Sequence, residues 1–248
     1  MAKKLKTAII LQAREESVRF PNKVLSRVAG KPLILRLLGR LKDSKLKNQL
    51  IIAIPKNNKN DKLNNLLKKN KFNVYRGDEK NVLKRYYNAA KKIKAQIIVR
   101  ITADCPFSDP KLIDKFITIL KEKKLDYVSN TLYPTYPDGL DIEVFTFRAL
   151  KEAFNKAKKQ YDKEHVTPYI KKNRKFKKLN IKHGINLSNL RFTVDEKKDL
   201  DLIEYVFKNL RKNNFGWEQI FKLKKQKKNL LINNSNLKRN EGADLSLG

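Results

Sequence analysis

The fold is decided where the first apolar segment of the chain ends, in the stretch Leu11-Gln12-Ala13-Arg14-Glu15-Glu16-Ser17-Val18-Arg19-Phe20-Pro21-Asn22-Lys23. The apolar residues 7–11 predict a buried strand, and residues 32–41 predict a helix. Between them stand three cations and two polar side chains, Arg14, Arg19, Lys23, Ser17 and Asn22. Because ligands of open α/β sheets bind beyond the carboxyl ends of the strands, we expect a ligand-binding loop here.

The side chains of this loop suit a polyphosphate. Arginine offers a planar fork for paired hydrogen bonds to phosphate oxygens, and lysine offers a compact positive charge. The loop contains no glycine, so it differs from Walker and dinucleotide-binding loops, and side chains have to hold the phosphates. The alternative is an ordinary basic loop in a very basic protein, and charge alone favours that alternative.

Apolar runs alternate with amphipathic segments over the first half of the chain. The predicted strands are 7–11, 50–54, 72–75, 96–102 and 127–130, and the predicted helices are 32–41, 61–69, 81–93 and 110–121. Such βα alternation with short connections is typical of an α/β fold with a doubly wound, mostly parallel sheet.

The pattern changes after residue 130. A turn-rich segment at 133–139 precedes predicted strands at 140–145, 176–183 and 190–194 and predicted helices at 147–158, 164–172, 197–212 and 217–223. We interpret residues 1–223 as one domain and residues 224–248, which are rich in Lys and Asn, as a loose polar tail.

The composition is globular but unusually basic. The 248 residues include 58 basic and 25 acidic ones, a formal net charge of +33, which raises nucleic acid as a partner. The lysines are spread along the whole chain without a DNA- or RNA-binding motif, so we favour a compositional bias and expect no nucleic-acid partner. A single cysteine, no signal peptide and no apolar run of about 20 residues predict a cytoplasmic protein without membrane insertion.

An acidic residue follows the predicted strand 96–102 directly. Asp104 should lie at the same sheet edge as the cationic loop, where a hard oxygen ligand beside a triphosphate suits Mg²⁺. A turn aspartate that bonds its own backbone is an equal alternative. Because side chains alternate along a strand, Arg100, Thr102 and Asp104 should share one face.

A further polar group follows the turn-rich segment. Asp141 and Glu143 alternate along a predicted strand, and paired carboxylates at this spacing can act as acid and base, although solvent-facing acids are commoner. His165 is one of two histidines, and no second His or Cys stands at zinc-ligand spacing. A structural role is the commoner one for such a histidine.

Three motifs occur in the order found in one enzyme family. They are Ala13-Arg14-x-x-Ser17-x-Arg19-x-Pro21-x-Lys23, Asp104-x-Pro106 and Val194-Asp195-x-x-x-Asp199-Leu200. The chain resembles the CMP-sugar-acid synthetases, which are the acylneuraminate and Kdo cytidylyltransferases. Within that family it resembles the branch that includes spore coat polysaccharide biosynthesis protein F. Gln12 departs from the family, which carries proline there. The resemblance covers about residues 5–210. It implies a Rossmann-like nucleotidyltransferase fold, with a small β-rich dimerisation and substrate insertion at about 131–183, and a homodimer.

The resemblance also implies a reaction, in which CMP passes from CTP to the anomeric hydroxyl of a sugar acid and pyrophosphate is released. It assigns catalysis to Arg14, Lys23 and Asp104. It assigns nucleotide contacts to Arg14, Ser17, Arg19, Asn22, Lys23, Arg76 and Thr102, with Arg76 on the base side. It assigns the sugar acid to Arg100, Asp138, Asp141, Glu143 and His165. It assigns the cofactor Mg²⁺ to Asp104 and Asp195, although Asp195 also suits a helix cap.

Two alternatives remain open. A sugar-phosphate nucleotidyltransferase that uses another nucleoside triphosphate would need a Gly-Gly-rich loop after the first strand, and residues 11–23 contain no glycine. A basic nucleic-acid-binding protein, which belongs to a different functional class, would use the net charge.

Overall fold

The apolar runs form strands and the amphipathic segments form helices in a computed structural model that describes residues 5–210 and 215–226. The strands are β1 Thr7–Gln12, β2 Arg27–Val28, β3 Lys31–Pro32, β4 Gln49–Pro55, β5 Asn73–Gly77, β6 Ile97–Thr102, β7 Tyr127–Ser129, β8 Glu143–Thr146 and β9 Lys178–Asn180. The helices are α1 Leu33–Leu41, α2 Asp61–Lys69, α3 Val82–Lys92, α4 Pro110–Glu122, α5 Phe147–Lys156, α6 Gln160–His165, α7 Pro168–Lys172, α8 Asp199–Asn209 and α9 Trp217–Gln226.

Seven strands form one central sheet in the order β5-β4-β1-β6-β8-β7-β9, and β2 and β3 form a separate hairpin. The pairs β5–β4, β4–β1, β1–β6 and β7–β9 are parallel. Only β8 runs antiparallel to its neighbours β6 and β7. The prediction of a mostly parallel α/β sheet is therefore confirmed.

Both faces of the sheet are covered. Ile9 and Leu11 of β1 pack with α1, α2, α4 and α8 on one face, whereas Ala8 and Ile10 pack with α3, α5 and α7 on the other. All four side chains are fully buried, which explains why β1 is a continuous apolar run. Helices on two faces make the sheet doubly wound, as expected.

The order of the strands places a crevice beside β1. From β1 the chain moves to β4 and β5 on one side and then crosses to β6 on the other side. Gln12 pairs in register with Thr102, so the loops that follow β1 and β6 leave the sheet side by side. Ligands of doubly wound folds bind where the strand order reverses in this way.

The region 131–183 differs from the expected β-rich insertion. It contributes β8 and β9 to the central sheet and otherwise folds into three helices, α5 to α7. The predicted helix 164–172 is two short helices, because Val166 has a φ of 71° and the Thr167 N–H donates to the His165 carbonyl. This three-residue hydrogen bond closes a γ-turn, a strained conformation for a β-branched residue.

Two predicted strands are shorter than expected, and a third does not form. Strand β8 begins only at Glu143, because the preceding backbone bonds to the side chain of Asn130. Strand β9 covers three residues of the predicted segment 176–183. The segment 190–194 forms no strand, since it pairs with loops, through a single bridge between Asp138 and Arg191 and through Val194 N–H on the carbonyl of Asp104.

The end of the chain is described in part. Helix α8 begins and ends inside the predicted helix 197–212, and α9 extends the predicted helix 217–223 to Gln226. The remainder of the predicted tail, residues 227–248, lies outside the described residues, as do residues 211–212. Within residues 5–210 and 215–226, no helix has both the length and the hydropathy that crossing a membrane requires.

Candidate functional site

The acidic residue Glu15 anchors the cationic loop after β1 to the segment 60–63. Glu15 is buried, its carboxylate accepts the Leu63 N–H at 2.8 Å, and its N–H donates to the Asn60 side chain at 2.9 Å. The Asn22 N–H donates to the Glu15 carbonyl at 2.8 Å and closes the loop on itself. The cations between these anchors are therefore held at the edge of the sheet.

A cleft of about 720 Å³ opens between this loop, the end of β6 and the segment 190–195. Most of the predicted site residues line it, namely Arg14, Ser17, Arg19, Lys23, Arg100, Thr102, Asp104, Asp138, Asp141, His165 and Asp195. These residues come from five separate parts of the chain, and the folded sheet brings them together.

Lys23 lies at the centre of the charged residues. Its ammonium nitrogen is 2.6 Å from the Val194 carbonyl oxygen, 3.1 Å from Asp195 Oδ1 and 3.4 Å from Asp104 Oδ2. Arg19 Nη2 lies 3.1 Å from the same Asp195 oxygen. The carboxylates of the two predicted metal ligands, Asp104 and Asp195, thus converge on the Lys23 ammonium group.

The charges of this cluster support one another. Burial opposes ionisation of Asp104, but the charge of Lys23 and the Thr102 hydroxyl outweigh it and hold the pKa of Asp104 below its ordinary value. Burial likewise opposes the ammonium charge, yet Asp104 and Asp195 raise the pKa of Lys23. Asp104 and Lys23 therefore hold each other in their charged forms at neutral pH.

Asp199, the first residue of α8, anchors the loop before the helix, and Asp195 has a different role. Asp199 accepts the N–H groups of Asp195 and Glu196 at 2.7 and 2.9 Å. The Asp195 carboxylate instead faces Lys23 and the guanidinium of Arg191, whose Nη2 is 2.7 Å from Asp195 Oδ2. The alternative that Asp195 is a cap is therefore wrong for its side chain.

Arg191 is a site residue that the sequence prediction missed. Its guanidinium is buried and contacts three carboxylates, those of Asp138 at 3.4 Å, Asp195 at 2.7 Å and Asp199 at 3.3 Å. Burial opposes the charge of Arg191, and these carboxylates nevertheless raise its pKa. The signal was present in the sequence, since an arginine on a predicted strand four residues before Asp195 needs a partner if it is buried.

Metal binding in the cleft would depend on few protein ligands. In residues 5–210 and 215–226, no three His, Cys, Asp or Glu side chains gather as a metal site. Asp104 and Asp195 are the two carboxylates that converge on one cation. Mg²⁺ commonly binds through one or two carboxylates, with water and substrate phosphates as its other ligands, so this pair fits Mg²⁺.

Three predicted site residues do not line the cleft. Asn22 is exposed and begins a short 3-10 helix with a φ of 57°. Arg76 turns away to α2, where it pairs with Asp61 at 2.7 Å and donates to the Asn57 carbonyl. The cleft therefore does not support their assignment to nucleotide binding.

Glu143 is the third of these residues. It is 2% exposed, and its carboxylate is occupied by Tyr127 at 2.6 Å, Thr167 at 2.7 Å, Lys171 at 2.8 Å and Arg100 at 2.5 Å. These partners lower its pKa far below the ordinary value despite complete burial. Glu143 therefore supports Arg100 from beneath and is too deeply buried to meet a substrate.

His165 is the first residue of the γ-turn and lines the cleft. It is half-buried, and its ring lies 4.4 Å from that of Tyr161. Burial, with the positive charges of Arg100 and Lys171 nearby, lowers its pKa below 6.5, although Glu164 and Glu143 act in the opposite direction. The imidazole is thus uncharged at neutral pH.

Comparison with known proteins identifies the family. A family model described as cytidylyltransferase matches residues 8–237. An uncharacterised protein of Methanocaldococcus jannaschii is 40% identical over 196 residues, 78% of this chain and 79% of its own length. Spore coat polysaccharide biosynthesis protein SpsF of Bacillus subtilis is 31% identical over 206 residues, 80% of this chain and 85% of its own length.

Solved structures share the fold. A cytidylyltransferase from Leptospira borgpetersenii superimposes with a TM-score of 0.88 at 28% identity, over 94% of this chain and 98% of that one. A CMP:2-keto-3-deoxy-manno-octonic acid synthetase complexed with CTP superimposes with a TM-score of 0.64 at 16% identity, over 83% and 99%. With the matching family model and the cleft at the edge of a nucleotidyltransferase sheet, these likenesses show that the chain is an enzyme of the cytidylyltransferase family.

Proposed function

We propose that this enzyme transfers CMP from CTP to the anomeric hydroxyl of a sugar acid of the Kdo or nonulosonic class, for surface polysaccharide biosynthesis. The anomeric oxygen forms a bond to the α-phosphorus, the bond from the α-phosphorus to the β-phosphate oxygen breaks, and pyrophosphate leaves. The hydroxyl proton is lost to the surroundings. The name of the Bacillus subtilis relative supports a polysaccharide precursor as the product.

One observation carries the proposal: Lys23 contacts Asp104 and Asp195 inside a cleft whose other wall is the arginine-rich loop after β1. Carboxylates that meet at one cation suit a metal-bound polyphosphate, and Arg14 and Arg19 supply donors for its oxygens. Arg14 is exposed at the mouth of the cleft, where it can meet the triphosphate on arrival.

Catalysis by these residues is positioning and charge neutralisation. Mg²⁺, bound by Asp104 and Asp195, would neutralise charge on the reacting phosphates. Arg14, Arg19 and Lys23 hold the β- and γ-phosphates and stabilise the departing pyrophosphate. No covalent intermediate is needed for a direct displacement on phosphorus.

The sugar acid occupies the other end of the cleft, where Arg100, Asp141 and His165 lie. Arg100 provides a guanidinium for the carboxylate of the acid, while Glu143 keeps it in place from below. The uncharged His165 and the carboxylate of Asp141 suit hydroxyl groups of the sugar, because both accept hydrogen bonds.

The proposal is tested by release of pyrophosphate in the presence of Mg²⁺, measured with each of four nucleoside triphosphates and a panel of sugar acids. We expect release only when CTP and a sugar acid are present together. Release with UTP or GTP in place of CTP would contradict the donor, and release with sugar phosphates in place of sugar acids would contradict the acceptor.

A further inference from the structure

Arg85 on α3 is a buried cation in the wall of the cleft. The residue is 2% exposed and lines the cleft. Its Nη1 donates to the backbone carbonyl oxygens of Asp78 at 2.7 Å and Glu79 at 3.4 Å. No carboxylate oxygen of the described residues lies within ion-pair distance of it. A buried positive charge without an ion-pair partner is unusual, because desolvation is costly, and the carboxylates of Asp78 and Glu79 stabilise it only from beyond ion-pair distance.

One edge of the Arg85 guanidinium has no partner. Nε is buried without a hydrogen bond, and Nη2 donates to none of the residues described in the structure. Nε and Nη2 together form the side-on fork with which arginine binds carboxylate or phosphate through two parallel hydrogen bonds. The backbone carbonyls therefore hold the guanidinium by Nη1 and leave Nε and Nη2 without a protein acceptor.

The surrounding chain is shaped to keep Arg85 in this place. A Cβ atom at Gly77 would lie 3.0 Å from Arg85 Cγ and 2.7 Å from the ring of Tyr75. Glycine at this position leaves room for the arginine side chain to cross the end of β5. Burial and the nearby positive charge of Arg14 lower the pKa of Arg85 to about 10, so it remains charged at neutral pH although both oppose its charge.

A second arginine in the cleft shows the same arrangement. Arg100 places Nη1 on Glu143, and its Nε is also buried without a partner. Both guanidinium groups lie close enough to Tyr86 to act on its ionisation, so α3 and β6 place them on neighbouring parts of the cleft wall. Nε of Arg40, Arg76 and Arg191 also makes no hydrogen bond, but only Arg85 and Arg100 of these five line the cleft, where unused guanidinium donors suit an anionic ligand.

We propose that Arg85 binds an oxyanion of the substrates, either a phosphate group of the nucleotide or the carboxylate of the sugar acid, through its Nε–Nη2 edge. This inference rests on the proposed function and adds to it a binding residue that replaces Arg76 as the arginine of the β5–α3 segment. Arg76 lies on the opposite side of that segment, paired with Asp61.

The test compares Arg85→Gln with a matched control, Lys84→Gln. Lys84 is the preceding residue of the same helix, is exposed, and pairs only with Asp78 at 3.5 Å. Dissociation constants are measured by calorimetry for Mg²⁺–CTP, for 3-deoxy-manno-octulosonate and for inorganic pyrophosphate. We expect Arg85→Gln to weaken at least one of them by roughly 10- to 100-fold, as loss of a charged hydrogen bond does, and Lys84→Gln to weaken none.

The probes whose binding is weakened identify the group that Arg85 binds. Weaker CTP and pyrophosphate binding assigns Arg85 to a phosphate, and weaker 3-deoxy-manno-octulosonate binding alone assigns it to the carboxylate. Unchanged dissociation constants for every probe that the wild type binds would overturn the proposal. If Arg85→Gln does not fold, Arg85→Lys keeps the charge but lacks the fork, and a loss of roughly tenfold is expected.

The proposed reaction and the role of Arg85 fail in different ways. A wild-type enzyme that releases no pyrophosphate from CTP with any sugar acid contradicts the reaction. The comparison of pyrophosphate binding between wild type and Arg85→Gln does not depend on that result, because every nucleoside triphosphate donor leaves the same pyrophosphate.

Discussion

Glu143→Gln removes a buried charge while it keeps the shape of the side chain. The carboxylate accepts hydrogen bonds from Tyr127 and Thr167 and forms ion pairs with Lys171 and Arg100. The neutral amide leaves both cations without their counter-charge. Removing one partner of a buried ion pair costs about 3–5 kcal/mol. Because the Lys171 side chain is 29% exposed and can turn to water, we expect the lower end, about 3 kcal/mol.

The assay is urea denaturation of wild type and Glu143→Gln at pH 7, with Glu122→Gln as control. Glu122 ends α4 and is exposed, so its substitution should leave the free energy of unfolding unchanged. Equal slopes against urea would show that both proteins expose the same surface on unfolding. A loss below about 1 kcal/mol, the value of a surface ion pair, would refute the reasoning.

Acidification should remove the difference between the two proteins. The folded-state pKa of Glu143 lies below its ordinary value of 4.5, so its contribution to stability is complete above that pH. It is lost as the pH falls through the folded-state pKa, because the protonated carboxyl group resembles the amide. The stability gap between wild type and Glu143→Gln should therefore narrow below about pH 4. A gap that widens on acidification would show that another group causes it.

Three further substitutions test the site and its frame. Asp104→Ala should keep the fold, since the main-chain carbonyl at position 104 still accepts the Val194 N–H. It should lower the rate of pyrophosphate release by at least about 100-fold, and a wild-type rate would exclude Asp104 from the site. Gly139→Ala should lower the free energy of unfolding by about 3 kcal/mol or more, because φ of Gly139 is 93° and a Cβ would lie 2.6 Å from the Phe192 backbone. Thermal melts measure the loss, and an unchanged melting temperature would contradict this contact. Arg191→Met should raise the Mg²⁺ concentration for half-maximal turnover by about 10-fold, because Asp195 loses the guanidinium group that orients its carboxylate. An unchanged Mg²⁺ requirement would mean that Arg191 has a purely structural role.

The parts of the fold that the sequence predicted are those with local signals. Residues of β1, β4 and β6 are buried on both faces and are therefore apolar runs, and α4 has both its N-cap Asp109 and Pro110 in the first turn. The cleft residues at the ends of β1 and β6 follow from the same signals, since parallel neighbours end at one edge.

The parts that sequence reasoning missed depend on contacts between distant segments. Residues 190–194 alternate as a strand does, but their backbone partners are loops. Glu143 looked like a surface acid because nothing nearby in sequence shows that Arg100 and Lys171 meet it in the core. Arg76 and Arg85 both belong to the β5–α3 segment, and the sequence does not show which of them reaches the cleft. The structure shows that the Arg85 side chain does so by passing over Gly77.

The position of Lys23 also bears on how the enzyme is made. Its ammonium joins partners that are 81 and 172 residues further along the chain. A ribosome releases the cationic loop and β1 long before Val194 and Asp195 have been synthesised. The nascent chain can therefore pair its first strands and bury much of its core while the cleft still lacks one wall. The cleft is complete only when the segment after β9 docks, so we expect assembly of the site to be among the last events in folding.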